Sequence, residues 1–509
     1  MNNLLQVLEK NAILYSNKNA IVDESREITY GELRKKARCM ASGICRTGKR
    51  RSPVFVLTDR TADSVIAFWG VLYSGNFYVP IDANIPEQRF QRLLESIAPV
   101  AVIGKKEKLK TFMGETDEST VEAYSLEELW DCEEKEEMID RIVCSIIDSD
   151  PLYMVFTSGS TGVPKGVVKT QRSMMTFLED FVPLFSITKN DIFGNQAAFD
   201  FDVSAKDIYA SIFVGGTMCL IPRKCFMVPA SLSVFLNQNK VTILIWAVSA
   251  MKFVIQARCF QREVPQFVDK VLFSGEVLPV KILNEWKRSV PSALFVNLYA
   301  PSEVTGNCLY QIIDSPMKEG EKISLGKEFP NVEVLILNDE FQKIREGEMG
   351  EIYVRGAYLS SGYYGNMEET RKVFIQNPLQ KNIPEIMYKT GDLAKLRNGK
   401  LYYHSRVDDQ IKHMGHRIEL GEIECVGNEI PKVTKSCAFL SQKKNKIILA
   451  VEGENLERKE VLCFLKGRLP KYMVPHEVIV MKELAVTDHG KVDKKRIRML
   501  YEKGEIGYV

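Results

Sequence analysis

The chain has 509 residues, of which 45% are hydrophobic and 26% charged, a length that exceeds one hydrophobic core and predicts at least two domains. Its 68 Lys+Arg against 66 Asp+Glu leave a formal charge of +2, so the charge balance gives no argument for nucleic-acid binding or a membrane surface. The longest apolar candidate, Val241 to Met251, falls well short of the roughly 20 residues of a membrane span, so no membrane insertion is expected.

The opening segment, Met1 to Lys10, reads as an amphipathic helix and lacks the long apolar core of a secretory signal. Strand-like Val54-Phe55-Val56-Leu57 precedes a helix-like segment from Thr61 to Tyr73. This alternation recurs and predicts an α/β architecture of parallel sheets covered by helices. The polar, acidic stretch from Lys105 to Glu137 reads as peripheral elaboration with a solvated face. Tyr153-Met154-Val155-Phe156 reads as a buried strand that runs into Thr157-Ser158-Gly159-Ser160-Thr161-Gly162-Val163-Pro164-Lys165-Gly166. Small hydroxyl residues alternate there with glycines, so the backbone can close around an anion and offer N–H and O–H donors to phosphate oxygens. It is not a Walker A loop, because the Gly-Lys-Ser/Thr ending is absent. A surface turn is the plain alternative; the strand entering and the lysine leaving favour a phosphate cradle.

Further along, Val241 to Trp246 is strand-like, and Gly350 to Gly356 reads as a strand ahead of a glycine-punctuated turn, Gly362-Tyr363-Tyr364-Gly365. A domain boundary is expected near residues 400–410, leaving about a hundred residues for a small final domain. Eleven scattered cysteines with no Cys-x-x-Cys pair indicate neither a zinc site nor a disulfide framework, and fit a reducing cytoplasm. All five histidines (His404, His413, His416, His476, His489) lie in the last part of the chain. The preceding residues therefore hold no histidine base for a serine or cysteine nucleophile. Chemistry there must rest on binding, charge neutralisation and orientation, as phosphate-centred reactions can.

Four further segments accompany the loop: Asn297-Leu298-Tyr299-Ala300-Pro301-Ser302-Glu303, Tyr388-Lys389-Thr390-Gly391-Asp392, Arg406 to Gln410 with Lys412 and Gly415-His416-Arg417, and His489-Gly490-Lys491-Val492-Asp493. Together and in this order they resemble the adenylate-forming superfamily of acyl-CoA synthetases, luciferases and nonribosomal-peptide adenylation domains. Ile28 to Leu33 and Tyr78 to Asp82 match its early motifs, so the resemblance spans nearly the whole chain. It implies an adenylate-forming enzyme fold: a large N-terminal α/β domain of helix-covered sheets over residues 1–405, binding ATP and amino acid, a hinge over 406–410, and a small mobile α+β lid domain over 411–509.

The resemblance also implies a reaction. A substrate carboxylate attacks the α-phosphate of ATP to give an acyl-adenylate and pyrophosphate, and a thiol then takes the acyl group. Donors and cations fixed around the α-phosphate would stabilise the transition state more than the ground state. By resemblance, Thr157, Ser158, Gly159, Ser160, Thr161, Gly162 and Lys165 hold the β- and γ-phosphates. Asn297, Leu298, Tyr299, Ala300, Pro301 and Ser302 bind the nucleotide, with Tyr299 along the adenine, and Glu303 helps place Mg²⁺. Asp392 takes the ribose hydroxyls, supported by Tyr403, His404, Ser405 and Arg406. Lys491, the implied catalytic residue, reaches from the lid to the carboxylate and the α-phosphate. Asp408 is the implied hinge; rotation there removes Lys491 and brings in the Lys412 to Arg417 loop, with Gly415 leaving room for a thin thiol arm. Plainer roles exist for each: Asp392 capping a turn, Glu303 capping a helix, Lys491 as one solvated lysine of a basic tail.

Residues 199–209, Phe-Asp-Phe-Asp-Val-Ser-Ala-Lys-Asp-Ile-Tyr, match the amino-acid-activating branch, in which Asp202 pairs with the substrate α-ammonium. A buried ammonium is costly without such a partner. The plain alternative is a helix-start aspartate paired with Lys206 at i+4. The histidine-rich motif of luciferase-like and aryl-CoA enzymes is missing. Chain length, Phe201 to Ser204, Asp207 to Tyr209 and Ser274 to Val280 are similar to the stand-alone ligases that load D-alanine onto a carrier protein. With no carrier domain attached, the implied partner is the phosphopantetheine thiol of a separate carrier protein acting in trans.

The implied acid-binding residues are Asp202, Val203, Ser274, Gly306 and Lys491; Gly306 and Asn307 suit a small or polar substrate. Several positions depart from the pattern. Ser274 stands where the D-alanine ligases have cysteine, and Lys206 would attract an acidic or polar side chain if it faces the pocket. Val203, Ser249, Leu272, Ser274 and Leu298 are also reminiscent of serine-activating domains. Ala300, Ser302, Ser361 and Ser405 replace the usual glycine, threonine, arginine and glycine; a positive φ at Ala300 would cost on the order of 1 kcal/mol. The expected function is a cytoplasmic, Mg·ATP-dependent ligase that adenylates a small amino acid, D-alanine favoured as in lipoteichoic acid D-alanylation. The alternatives are a stand-alone adenylation enzyme for serine or another amino acid, a CoA ligase for a small carboxylic acid, and a non-catalytic ATP-binding descendant.

Overall fold

The computed structural model describes residues 3–114, 121–159, 164–441, 443–487 and 492–506. The chain divides into two compact units, one of residues 1–83, 98–155 and 166–407, the other of residues 84–97, 156–165 and 408–509. Among the described residues, no helix is long and apolar enough to cross a membrane.

The largest sheet of the first unit has nine strands. In spatial order they are Lys327–Glu328, Leu309–Ile313, Leu294–Tyr299, Lys270–Ser274, Ile243–Ala247, Ile192–Asn195, Thr217–Leu220, Asn19–Val22 and Glu27–Thr29. The inner strands pair in parallel, as Leu272 with Val296 and Ile245 with Leu272, and antiparallel strands close the edges. Strands covered on both faces read as unbroken apolar runs, which is why Ile243 to Trp246 is buried throughout. The strand starts at Ile243, two residues after the predicted Val241, and Thr242 ahead of it donates its hydroxyl to Asp191 Oδ1 at 2.9 Å.

A second sheet runs Glu122–Ser125, Ala101–Gly104, Pro53–Thr58, Phe77–Asp82, Pro151–Thr157 and Lys165–Thr170, and its last two strands flank the phosphate loop. The acidic stretch after Lys105 is more than a solvated face. Its Glu122–Ser125 segment forms an edge strand beside Ala101–Gly104. Ser125 and Glu128 then form a reciprocal capping box for the helix Leu126–Trp130, which buries Leu126 and Leu129. Two apolar residues at i and i+3 outweigh the acidic composition around them.

A third sheet orders Val332–Leu337, Met349–Gly356, Ile386–Arg397 and Phe374–Gln376, with Lys400–Arg406 also paired to Ile386–Arg397. Its long hairpin sets Asp392 directly across from Arg406.

The second unit has its own core, with Ile418, Ile423, Leu449, Leu465 and Met473 between a three-stranded sheet and its helices. Its hairpin, Gln410–His413 with His416–Glu419, turns through Met414 at φ 53° and Gly415 at φ 83°. A two-residue hairpin turn with positive φ at both positions matches the right-handed strand twist, so glycine suits the second position.

Arg38 ties the first unit together. Its side chain is fully buried, with Nη1 donating to Glu9 Oε1 at 3.0 Å, Nη2 to Asp140 Oδ1 at 2.8 Å, and Nε to Glu134. Tyr73 donates to the same Glu9 oxygen at 2.7 Å. Arg38→Ala empties a fully buried position and removes the shared partner of three part-exposed carboxylates, so it should cost about 2–3 kcal/mol in urea unfolding. Arg141→Ala, which breaks an exposed i,i+4 pair with Glu137, should leave the same curve unmoved.

Candidate active site

Asp392 is the most tightly held carboxylate of the first unit. Its side chain is fully buried; Tyr299 Oη donates to Oδ2 at 2.6 Å and Arg406 Nη1 to Oδ1 at 2.5 Å. Gly391, at φ 72°, makes the turn before it, and the Gly391 N–H donates to Glu351 Oε1 at 2.9 Å. Each carboxylate oxygen can accept more than one hydrogen bond, so the group keeps acceptor capacity while its orientation is fixed. Tyr299 therefore positions Asp392 through its hydroxyl. Ser405 and Tyr403 precede Arg406 on the same strand, facing Leu393 and Ala394, while His404 is exposed. His404, Tyr403 and Gln311 line a cavity of about 550 Å³.

The candidate nucleotide segment begins on the strand Leu294–Tyr299. Asn297 Nδ2 donates to Ser324 O at 2.9 Å, and Leu298 is buried. Ala300 is not among the residues with positive φ, so the expected strain at this replaced glycine does not arise. Pro301 and Ser302 lead to Glu303, which is buried and accepts from Tyr363 Oη at 2.8 Å. Glu303 sits in a turn and caps no helix. One buried carboxylate suits Mg²⁺, whose remaining ligands come from phosphates and water, and Glu303 would hold it in that way.

Residues Ser160, Thr161, Gly162 and Lys491 lie outside the described residues. The rest of the phosphate loop belongs to the second unit. There Ser158 Oγ accepts from the Glu419 N–H at 2.9 Å and donates to Arg417 O at 3.0 Å. Glu422, fully buried, receives Arg89 Nη1 at 2.5 Å and the Gly159 N–H. The loop's backbone donor is thus already aimed at an anionic oxygen. Thr157 Oγ1 lies 3.5 Å from Lys165 O, Lys165 opens the strand after the loop, and Asp408 is exposed.

Of the acid-binding candidates, Asp202 and Val203 stand just before the helix Ser204–Val214. Tyr153 Oη donates to Asp202 Oδ1 at 2.8 Å, and Lys169 Nζ stands 3.6 Å from Asp202 Oδ2. Lys206 is buried; it turns away from solvent and donates to Asn307 Oδ1 at 3.0 Å, so it does not form the simple i+4 pair with Asp202. Gly306 has φ 67°, and a Cβ there would meet the Phe177 ring at 2.4 Å, so this position admits glycine alone. Ser274 ends its strand half-buried, ahead of Gly275 at φ 99°.

Residues 8–364 match the model of the AMP-binding enzyme family. The chain belongs to that family. Among curated relatives of this AMP-binding enzyme, the D-alanine–D-alanyl carrier protein ligase of Bacillus licheniformis is 28% identical over 97% of this chain and 99% of its own. The protein of the same name from Bacillus cytotoxicus is 29% identical over 97% and 98%. Among solved structures, o-succinylbenzoate CoA synthetase of Bacillus subtilis superposes with a TM-score of 0.83 at 21% identity, covering 98% of each chain. An artificially fused Adenylation-PCP di-domain of Klebsiella oxytoca gives 0.80 at 19% identity, over 94% and 93%. At such identities the structures establish the fold, which is that of adenylate-forming enzymes.

Sequence reasoning missed Tyr153, Lys169 and Tyr363. Lys169 carried a signal: it is a lysine inside the strand Lys165–Thr170, directly after the apolar Val167-Val168. Two buried titratable groups, Lys206 and Asp207, lie on the helix that follows Asp202. Burial pushes the Asp207 carboxyl up to about 7, against Asn195 Nδ2 at 2.9 Å and the nearby Lys206 and Arg60, and burial lowers Lys206 to about 8. Between the ordinary 3.8 and about 7, folded Asp207 keeps a proton that the unfolded chain has released. Its contribution to stability therefore falls as pH rises through that window and is level above it. Asp207→Asn should give a variant-minus-wild-type Tm difference that grows from about pH 4 to about pH 7 and then flattens, in melts at constant ionic strength.

Proposed function

We propose that the chain is a cytoplasmic, Mg·ATP-dependent, AMP-forming ligase. It activates a small amino acid, D-alanine before others, as the aminoacyl-adenylate and passes it to the phosphopantetheine thiol of a separate carrier protein. The observation that carries this reading is the pair of buried carboxylates Asp392 and Glu303, each fixed by a tyrosine hydroxyl in the unit that also holds Asp202. Family membership and the name of the Bacillus relatives support it.

Each group has a task that follows from its chemistry. Asp392, oriented by Tyr299 and Arg406, accepts the ribose hydroxyls. Glu303 would hold Mg²⁺, which neutralises phosphate charge when bound. Asp202 faces the substituent on the substrate α-carbon, and Val203, Ser274 and Gly306 leave room for a small side chain. With the acid held, its carboxylate oxygen bonds to the α-phosphorus and pyrophosphate departs with the electron pair of the broken bond. Positioning and charge neutralisation suffice for this step. Lys491 supplies a cation to the α-phosphate region, and rotation about Asp408 exchanges it for the Lys412 to Arg417 loop before thiol transfer. The Ser274 hydroxyl, where the D-alanine ligases carry cysteine, favours serine as the second candidate substrate.

Amino-acid-dependent ATP–pyrophosphate exchange tests the reading, with D-alanine expected to give the highest rate. Lys491→Ala should lower exchange ~10²–10³-fold while preformed adenylate still transfers to the carrier thiol. Equal loss in both half-reactions would remove Lys491 from its role. Absence of exchange with every acid would remove the function.

A further inference from the structure

Lys169 is fully buried, and its ammonium donates to Ser302 O and faces Asp202. With Tyr153 Oη on Oδ1 and Lys169 near Oδ2, both oxygens of Asp202 already face groups of the protein. An ammonium out of water needs a carboxylate; Asp202 is the ion-pair partner of Lys169, with Glu303 also in its field. The second buried ammonium close by, Lys206, bonds Asn307 and also lies in the field of Asp202. An aspartate whose sole counter-charge is the substrate's ammonium rejects an acid without one, because the carboxylate is then left buried and uncompensated. That penalty corresponds to ~10²–10⁴-fold in affinity. Asp202 is not in that position.

We propose that Lys169 is the standing counter-ion of Asp202 and that the site therefore adenylates small α-hydroxy acids as well as α-amino acids. This rests on the reading of Asp202 as the partner of the α-substituent. A neutral α-hydroxyl donates to Asp202 while Lys169 keeps the carboxylate compensated. An α-ammonium instead arrives beside two buried cations and competes with Lys169 for the same oxygen. The reaction is unchanged: the carboxylate oxygen bonds to the α-phosphorus of ATP, the bond to the bridging oxygen breaks, and pyrophosphate leaves with its electron pair. No proton or redox equivalent is needed. Lys169 acts through Asp202, as a positioning residue.

The test compares alanine and lactate, both enantiomers of each, in ATP–pyrophosphate exchange and in calorimetric titration of the nucleotide-free protein. For the preferred enantiomer, the alanine-over-lactate ratio of kcat/KM should stay below ~100-fold, against the 10⁴–10⁵ of sites built around one polar contact. Lys169→Met should raise the ratio by ~10²-fold, chiefly through the KM for lactate, and Lys169→Arg should hold it near wild type. The ratio is internal to each protein, so a partly unfolded variant lowers both rates and leaves it readable. If Lys169→Met does not fold, the wild-type ratio decides. Exchange with alanine at more than ~10³-fold over lactate would overturn the inference and leave the ligase standing. A ratio unmoved by Lys169→Met would do the same. No exchange with either acid would overturn this inference, while the ligase reading would be decided separately by exchange across the full set of amino acids.

Discussion

A charge that leaves water must find its counter-charge inside the protein, and this requirement organises the chain at every scale. Arg38 collects Glu9, Glu134 and Asp140 from segments about a hundred residues apart in sequence. Arg89 reaches Glu422 across 333 residues. Asp392 meets Arg406 across one hairpin, and Asp202 meets Lys169. Buried pairs of this kind are weak sources of net stability, since well-packed apolar residues often do as well. What they enforce is register: each fixes which segments lie together and which way a carboxylate points. The pairs on Asp392 and Asp202, the candidate nucleotide and acid residues, therefore read as positioning, while the Arg38 cluster reads as assembly.

The parts of the fold legible in the sequence were those with strong local signals. Thr61 to Tyr73 forms a helix over Ala62–Tyr73, Val54 to Leu57 lies within a strand Pro53–Thr58, and the run before the phosphate loop is the strand Pro151–Thr157. The amino-terminal helix is shifted to Leu4–Leu14, where Asn3 caps it by accepting from the Gln6 N–H. Composition misled where it was averaged. The stretch after Lys105 is acidic as a whole, yet a four-residue strand and a capped helix inside it are structural.

The candidate site was legible in a different way. Motif order singled out Asp392, Glu303 and Asp202 as candidates, because glycines and carboxylates at fixed spacing survive in one dimension. The groups that orient them did not show. Tyr153, Tyr363 and Lys169 lie in strands and turns far from their partners in sequence, and nothing local distinguishes a tyrosine that donates to a carboxylate from one that packs. Ala300 failed for the opposite reason: a glycine replaced suggested strain, and the backbone at that residue needs none. Ser158 shows a third limit. A hydroxyl in a phosphate loop can spend both of its bonds on backbone, as it does here with Arg417 and Glu419.

Two aspartates of one chain are given unlike work by their surroundings. Asp392 has no exposed side-chain surface and two close donors, so its geometry is rigid. Such an acceptor would suit a ligand that is the same at every turnover, because one lone pair of each oxygen is committed in advance to orientation while acceptor capacity remains for the ligand. The Asp202 side chain is 18% exposed, and its cation stands at 3.6 Å, beyond hydrogen-bond contact. That spacing keeps the electrostatic compensation, which falls slowly with distance, while leaving the oxygen free to take a directional bond from the substrate. A counter-ion at hydrogen-bond distance would fix Asp202 as firmly as Arg406 fixes Asp392. In the role proposed for it, Lys169 at this spacing compensates Asp202 while the carboxylate could still take a hydrogen bond from the α-substituent.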